Sequence, residues 1–217
     1  MAQIQAGVIG LGKFGFKFGQ TLVKHGLDVI GADKNAENVK RAQHVFTHVY
    51  CADVTDKNAL AQIGMGDLTH VLVSVGDDIA ASSMIAMYLK EMGVGAVWVK
   101  AINAEHEKLL LKIGADEVII PEHLAAQQMA SRIAIPGLIE RLPFGPNMAI
   151  KEVQIAKWEG QTLRGIDLTN RLRVQAVAIK KRGETRFQFI PQADDPLGKG
   201  DLLILIGPIA TLAEIEA

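Results

Sequence analysis

The stretch VIGLGKFG, Val8 to Gly15, runs an apolar segment into three glycines spaced G-x-G-x-x-G, and eighteen positions past Gly15 the stretch LDVIGAD ends in Asp33. An apolar run before, a helical pattern after and an acid beyond the second apolar run form the context in which this spacing signals nucleotide binding. Gly10 permits the tight turn, Gly12 lets backbone approach phosphates, and Gly15 lets helix and strand pack closely. A phosphate then sits against the free N–H groups at the helix start.

Outward from this turn, short β-branched runs alternate with helical patterns. They are IQAGVIG, a helix Lys13 to His25, LDVIGAD, a helix from Ala36, THVYC, a short helix from Lys57, THVLVSVG, a helix Asp78 to Glu91, GAVWVK, a helix Ala104 to Lys112, and ADEVIIP. Strand signals separated by helices specify a Rossmann-like parallel sheet covered on both faces, and runs such as VLVSV carry the continuous hydrophobicity this requires. Asp78 reads as a helix cap, and Gly26 and Gly93 as helix stops.

After Pro121 the texture changes. EHLAAQQMASRIAI is helical, and PGLIERLPFGPNM then places Pro136, Pro143 and Pro146 around a short amphipathic segment, read as a break, a short helix and a connection. Leu138, Ile139, Leu142 and Phe144 give it more apolar surface than it buries on itself, so it is either an interdomain linker or an arm exchanged between subunits. From Met148 the pattern restarts as strand, helix, three strands and helix, with a hairpin turn near Gly183. The expected organisation is an α/β domain over 1–134, a linker or crossover over 135–147, and a second, smaller α+β domain over 148–217.

The chain has 217 residues, 49% hydrophobic and 22% charged, with a formal charge of −1 that offers nucleic acid no general attraction. No apolar run approaches the roughly 18 to 20 residues of a membrane span, and MAQIQAGVIG reads as a strand start without a signal-peptide charge region, so the expected compartment is cytoplasmic. Cys51 is the single cysteine. It closes the run HVYC and reads as a small buried core residue.

Several residues gather around the expected site. Asp33 can accept bonds from both ribose hydroxyls and repel a 2′-phosphate, which disfavours NADP; the competing role is a cap for the next helix. Lys34 follows it. CADVTD places Asp53 and Val54 beside the adenine position, with Thr55 or Asp56 as the next cap. SVGDD, Ser74 to Asp78, ends the fourth strand at the edge where the strand order reverses, and Gly76 suits close backbone approach. Lys13 is a cation inside the glycine turn, suited to a terminal phosphate or else to solvent. No histidine is set against a cofactor, and HExxH, Walker-type and Gly-x-Ser-x-Gly patterns are absent from the sequence. Binding without chemistry is the leading reading; an NAD(H)-binding dehydrogenase-like enzyme or redox sensor is the alternative.

VIGLGKFG, ADVTD, VSVGDD, GADEVIIPE, IDLTNRLRVQAVAIKK and GDLLILIG, in this order, resemble the cytoplasmic regulator subunits of bacterial Trk/Ktr potassium uptake systems, the RCK family. The resemblance implies a homo-octameric gating ring, peripheral on the inner face of the membrane under a channel subunit, activated by ATP relative to ADP. It puts Gly10, Gly12, Lys13 and Gly15 at the phosphates, with Phe14 also among the cofactor-binding residues, Asp33 and Lys34 at the ribose, and Asp53 and Val54 at adenine. Ser74, Gly76 and Asp77 would line the rest, with Lys100 near the phosphates. Glu122 would help bind Mg²⁺ or Ca²⁺ across a dimer interface. The family frequently has Arg where this chain has Lys13. Related C-terminal domains bind cyclic di-AMP through positions matching 166–179, where Thr169 and Gln175 replace Arg and Asn, with Arg171 or Arg173 as substitutes.

Overall fold

The computed structural model describes residues 5–75, 78–142 and 147–217, and the chain divides into two compact units, Met1–Pro121 and Glu122–Ala217. The expectations for Gly76, Asp77, Pro143, Phe144 and Pro146 therefore lie outside the described residues.

The first unit alternates strictly: β1 Gln5–Ile9, α1 Lys13–Lys24, β2 Asp28–Asp33, α2 Ala36–Ala42, β3 His48–Cys51, α3 Lys57–Gln62, β4 His70–Val73, α4 Ile79–Glu91, β5 Ala96–Lys100, α5 Ala104–Ile113 and β6 Glu117–Ile119. The strands form one parallel sheet in the order β3-β2-β1-β4-β5-β6. Val8 and Leu72 point to a core with Val29 and Phe46, while Ile9, Val71 and Val73 point to the opposite core with Leu60, Ile85, Leu89 and Leu110. This alternation makes the central strands apolar on both faces. The caps follow the sequence: Asp78 accepts the Ala81 N–H, and the chain leaves α1 and α4 through Gly26 and Gly93, both at φ +82°. Asp56 caps α3, and α2 is capped by Asn35, not by Asp33.

Cys51 corrects its expectation. It is exposed, because β3 is the outermost strand and lacks a neighbour on one side.

The second unit takes α6, Pro121–Ala134, from Glu122 onward. It continues through β7 Leu138–Arg141, β8 Met148–Gln154, α7 Leu163–Ile166, α8 Leu168–Leu172, β9 Gln175–Lys180, β10 Gln188–Phe189, β11 Leu202–Pro208 and α9 Ile209–Glu214. Its sheet runs β10-β9-β11-β8-β7, antiparallel throughout. Residues 138–141 are a strand where a short helix was expected. The Glu152 N–H donates to the Gly137 carbonyl at 2.7 Å, which starts the pairing of β7 with β8, and Leu138 turns into the core while Ile139 stays exposed. Lys151 is carried inward by the same alternation. Its ammonium is held by the Leu212 and Ile215 carbonyls at 2.7 and 3.1 Å, and burial pushes its pKa down.

Candidate functional site

The glycine turn stands where the strand order reverses, between β1 and β4, the position at which open α/β sheets receive ligands. Gly10 has φ +88°, and a Cβ there would stand 2.2 Å from the Ser74 carbonyl oxygen, so a side chain is excluded on two counts. A Cβ on Gly15 would meet the Gly10 carbonyl oxygen at 2.0 Å, which is how α1 begins directly against the turn. Gly12 is the N-cap of α1, makes no side-chain cap bond, and has open space on its Cβ side. The first turn of α1 contains no acid and no side-chain cap, a helix start that suits an anion.

A cleft of about 310 Å³ opens beside this turn. Of the sequence-predicted residues, Gly10, Gly12, Asp33, Lys34, Val54 and Ser74 line it. Lys13 is exposed at the first position of α1, Phe14 packs into the core beneath, and Gly15 supports the turn from below. Asp53 precedes the lining residues Val54 and Thr55; its Oδ1 accepts the Thr55 hydroxyl at 2.7 Å and the Thr55 N–H at 3.0 Å. These two bonds, the hydroxyl foremost, hold the exposed carboxyl below its ordinary pKa. Lys100 ends β5, and Glu122 is exposed in the first turn of α6 within the second unit; neither is in the cleft wall.

Asp33 is 8% exposed and already engaged. Its Oδ2 accepts the Leu11 N–H at 2.6 Å and the Asn38 amide at 3.0 Å, and its Oδ1 accepts the Asn35 N–H at 2.8 Å. Arg41 completes this frame: its Nη2 donates to the Leu11 carbonyl at 2.5 Å, and its guanidinium lies 4.6 Å above the Phe16 ring. The N–H and C=O of Leu11 are thus pinned by an acid from β2 and a base from α2. Sequence reasoning missed Asn35, Asn38 and Arg41. Their spacing of three along α2, directly after the acid, was the available signal, since it sets them on the helix face that meets the turn.

Ser82 and His106 lie 3.0 Å apart, but both are 2% exposed and neither lines the cleft. Among the described residues no group of three or more His, Cys, Asp or Glu side chains that could hold a metal occurs. Glu122 supplies one carboxylate from one chain, so a divalent cation there would need oxygens from a second copy or from a bound phosphate.

The second unit has its own cavity, about 500 Å³, walled by Arg164, Asp167, Thr169, Asn170, Gln175 and Pro191 among others. The Thr169 hydroxyl donates to the Gln175 side-chain oxygen Oε1 at 3.0 Å. Arg164 is bidentate to Asp194, at 2.6 and 3.0 Å, and Arg171 and Arg173 are not in the wall.

Residues 6–121 match the TrkA-N domain and residues 151–217 the TrkA-C domain. The chain is 32% identical to Ktr system potassium uptake protein C of Bacillus subtilis (strain 168), across 96% of this chain and 94% of that protein. It is also 32% identical, at the same coverage, to Ktr system potassium uptake protein A of Vibrio alginolyticus. The solved RCK domain of GsuK shares the fold, with a TM-score of 0.61 at 17% identity over 99% of this chain and 47% of that one. With both domains matched in order and two such relatives aligned along nearly their whole length, the chain belongs to the TrkA-N/TrkA-C family that includes the Ktr potassium uptake proteins.

Proposed function

We propose that the chain is a cytoplasmic, nucleotide-responsive regulatory subunit of a potassium uptake system, without enzymatic activity of its own, and that ATP relative to ADP favours the conducting state of its membrane partner. The observation that carries this is the cleft at the strand-order reversal, with glycine turn and Asp33 in place, in a chain whose relatives are potassium uptake proteins. In this reading the conducting path belongs to a partner subunit; no helix among the described residues is long and apolar enough to cross a membrane.

The regulator works as a ring, octameric in this reading, in which copies meet through α6 and the exposed Ile139 side of β7. Support comes from α6, which buries none of its residues within one chain and leaves Leu124, Met129 and Ile133 at 59%, 66% and 82% exposure. In the ring, Lys13 and Lys100 read the terminal phosphate, and Glu122 joins its counterpart on a divalent cation that offsets the crowded negative charge. Asp33 and Asp53 hold the ribose and adenine common to both nucleotides; NAD(H) is the competing occupant. The cavity of the second unit is the place for cyclic di-AMP, met by Thr169 and Gln175 in place of the family's Arg and Asn.

A ligand shifts a gate only by its differential affinity for the two states. The deciding assay is potassium flux into liposomes holding the matching channel subunit with this regulator. ATP should raise flux over ADP. Equal flux in a conducting complex, or hydride transfer from NADH by the protein alone, would overturn the reading.

A further inference from the structure

The first unit buries one polar pair that the nucleotide reading leaves unused. Ser82 is the fourth residue of α4 and His106 the third of α5; each is 2% exposed. Their contacts fix the protons. The Ile102 N–H donates to His106 Nδ1 at 3.4 Å, so Nδ1 holds the lone pair and the neutral ring carries its proton on Nε2. Nε2–H donates to Ser82 Oγ across 3.0 Å, and the Ser82 hydroxyl sends its own proton to the Asp78 carbonyl at 2.8 Å, with the Ile79 carbonyl at 3.1 Å. Burial pushes the imidazole pKa down, in agreement with the neutral form that the contacts demand.

This relay ends at the cleft. Asp78 is the N-cap of α4, its carboxylate accepts the Ala81 N–H at 2.9 Å, and Asp78 and Ala81 both stand in the cleft wall. In an ordinary helix only the backbone of the fourth residue holds the cap carbonyl. Here the Ser82 N–H does so at 3.0 Å, and the Ser82 hydroxyl adds a second bond whose rotamer is locked from another helix. Helix ends fray because their outer groups lack partners, and a tether to α5 removes that freedom from the α4 end.

We infer that His106 is a positioning residue for the nucleotide site: acting through Ser82, it holds the Asp78–Ala81 wall in the geometry that receives the ligand. The inference rests on the nucleotide reading of the cleft. His106 touches no ligand, and its effect is preorganisation: a wall that is loose in the free protein must be ordered at the moment of binding, and affinity falls accordingly.

The test uses the full chain, ADP as the calorimetric probe, and amide exchange of residues 79–83 in the ligand-free protein. His106→Leu keeps apolar volume and removes the donor; Ser82→Ala removes the relay with one atom; His106→Gln keeps an N–H able to reach Ser82. His106→Leu and Ser82→Ala should each speed exchange at the α4 start and weaken ADP by about five- to tenfold, the worth of one buried hydrogen bond. The double variant should lose no more than either single one, because both act on one relay. His106→Gln should restore affinity to within about threefold. If His106→Leu does not fold, Ser82→Ala against the unsubstituted chain carries the same comparison. Lower melting temperature with unchanged ADP affinity would make the pair a packing device and overturn the inference. Unchanged exchange would overturn the relay alone, whereas no nucleotide binding by the unsubstituted chain would remove the nucleotide reading and with it the ligand this wall is said to serve.

Discussion

The Asp33 carboxylate and the Leu11 amide meet at 2.6 Å, so the acid at the end of β2 supports the glycine turn before any ligand arrives. If the cleft takes a nucleotide, as proposed, two functions fall on one side chain. With three donors already on Asp33, ribose hydroxyls must share its remaining acceptor capacity. Asp33→Ala should therefore weaken ATP and ADP equally, by about 1.5–3 kcal/mol for a charged hydrogen bond, and also lower the melting temperature of the ligand-free protein, since Leu11 N–H loses its partner. Asp33→Asn keeps an acceptor for one of the donors and should fall between. Calorimetry with both nucleotides, set beside thermal melts, reads both effects; unchanged affinity with lowered stability would leave Asp33 a scaffold residue only.

The β7 segment separates two roles that its composition merges. Leu138 is 6% exposed in the core of the second unit, so its burial needs no second copy, while Ile139 next to it is 39% exposed. Leu138→Ala should destabilise the second unit by about 2–4 kcal/mol and leave the assembly's mass intact at temperatures where it remains folded. Ile139→Ser should do the reverse, reducing mass in light scattering with little change in melting temperature. A mass unchanged by Ile139→Ser would take this strand out of the subunit interface.

Asp201 is the buried carboxyl expected to make the second unit sensitive to acid. It is 3% exposed; burial alone would raise its pKa, but the N–H groups of Arg182 and Gly198 and the Lys181 ammonium, at 2.9, 2.9 and 3.0 Å, outweigh that and hold it below the ordinary value. A carboxyl with a depressed folded-state pKa contributes stability that is complete above the unfolded value and lost as pH falls through the folded one. Amide protection in β9 and β11 should thus decline on acidification below about pH 4. Asp201→Asn should cost about 2 kcal/mol or more at neutral pH and flatten that decline. Equal acid slopes for the two proteins would assign the sensitivity elsewhere.

The first unit was legible because its signals are local. A glycine turn needs φ above zero at Gly10, a doubly covered strand needs an unbroken apolar run, and caps sit beside the helices they start. The misreadings were of residues whose surroundings come from far along the chain. Cys51 is apolar enough for a core, yet β3 proved to be an edge. Residues 138–141 carry too few positions for period 2 to be told from period 3.6, and their strand character comes from pairing with β8. The spacing of Asn38 and Arg41 marks one face of α2, but that this face meets α1 and the turn is a tertiary fact the spacing alone does not state.

Lys13 is the residue on which nucleotide discrimination is expected to turn. It is exposed at the positive end of α1, whose first turn holds no acid, so in the free protein its charge is unfavourable by about 0.3–1 kcal/mol. Its removal should therefore leave the ligand-free melting temperature unchanged or slightly raised, a sign opposite to that of Asp33→Ala. A terminal phosphate reverses the balance, because an ammonium beside it makes a charge-assisted bond that ADP has less phosphate to form. Lys13→Ala should consequently weaken ATP more than ADP and shrink the ATP-to-ADP affinity ratio. Lys13→Arg, which brings the planar fork, should widen it. Calorimetric titration of the three proteins with each nucleotide decides the matter. If Lys13→Ala lowers both affinities by the same factor, the lysine contributes general attraction to phosphate, and the sensing of the third phosphate must come from Lys100 or from a second copy.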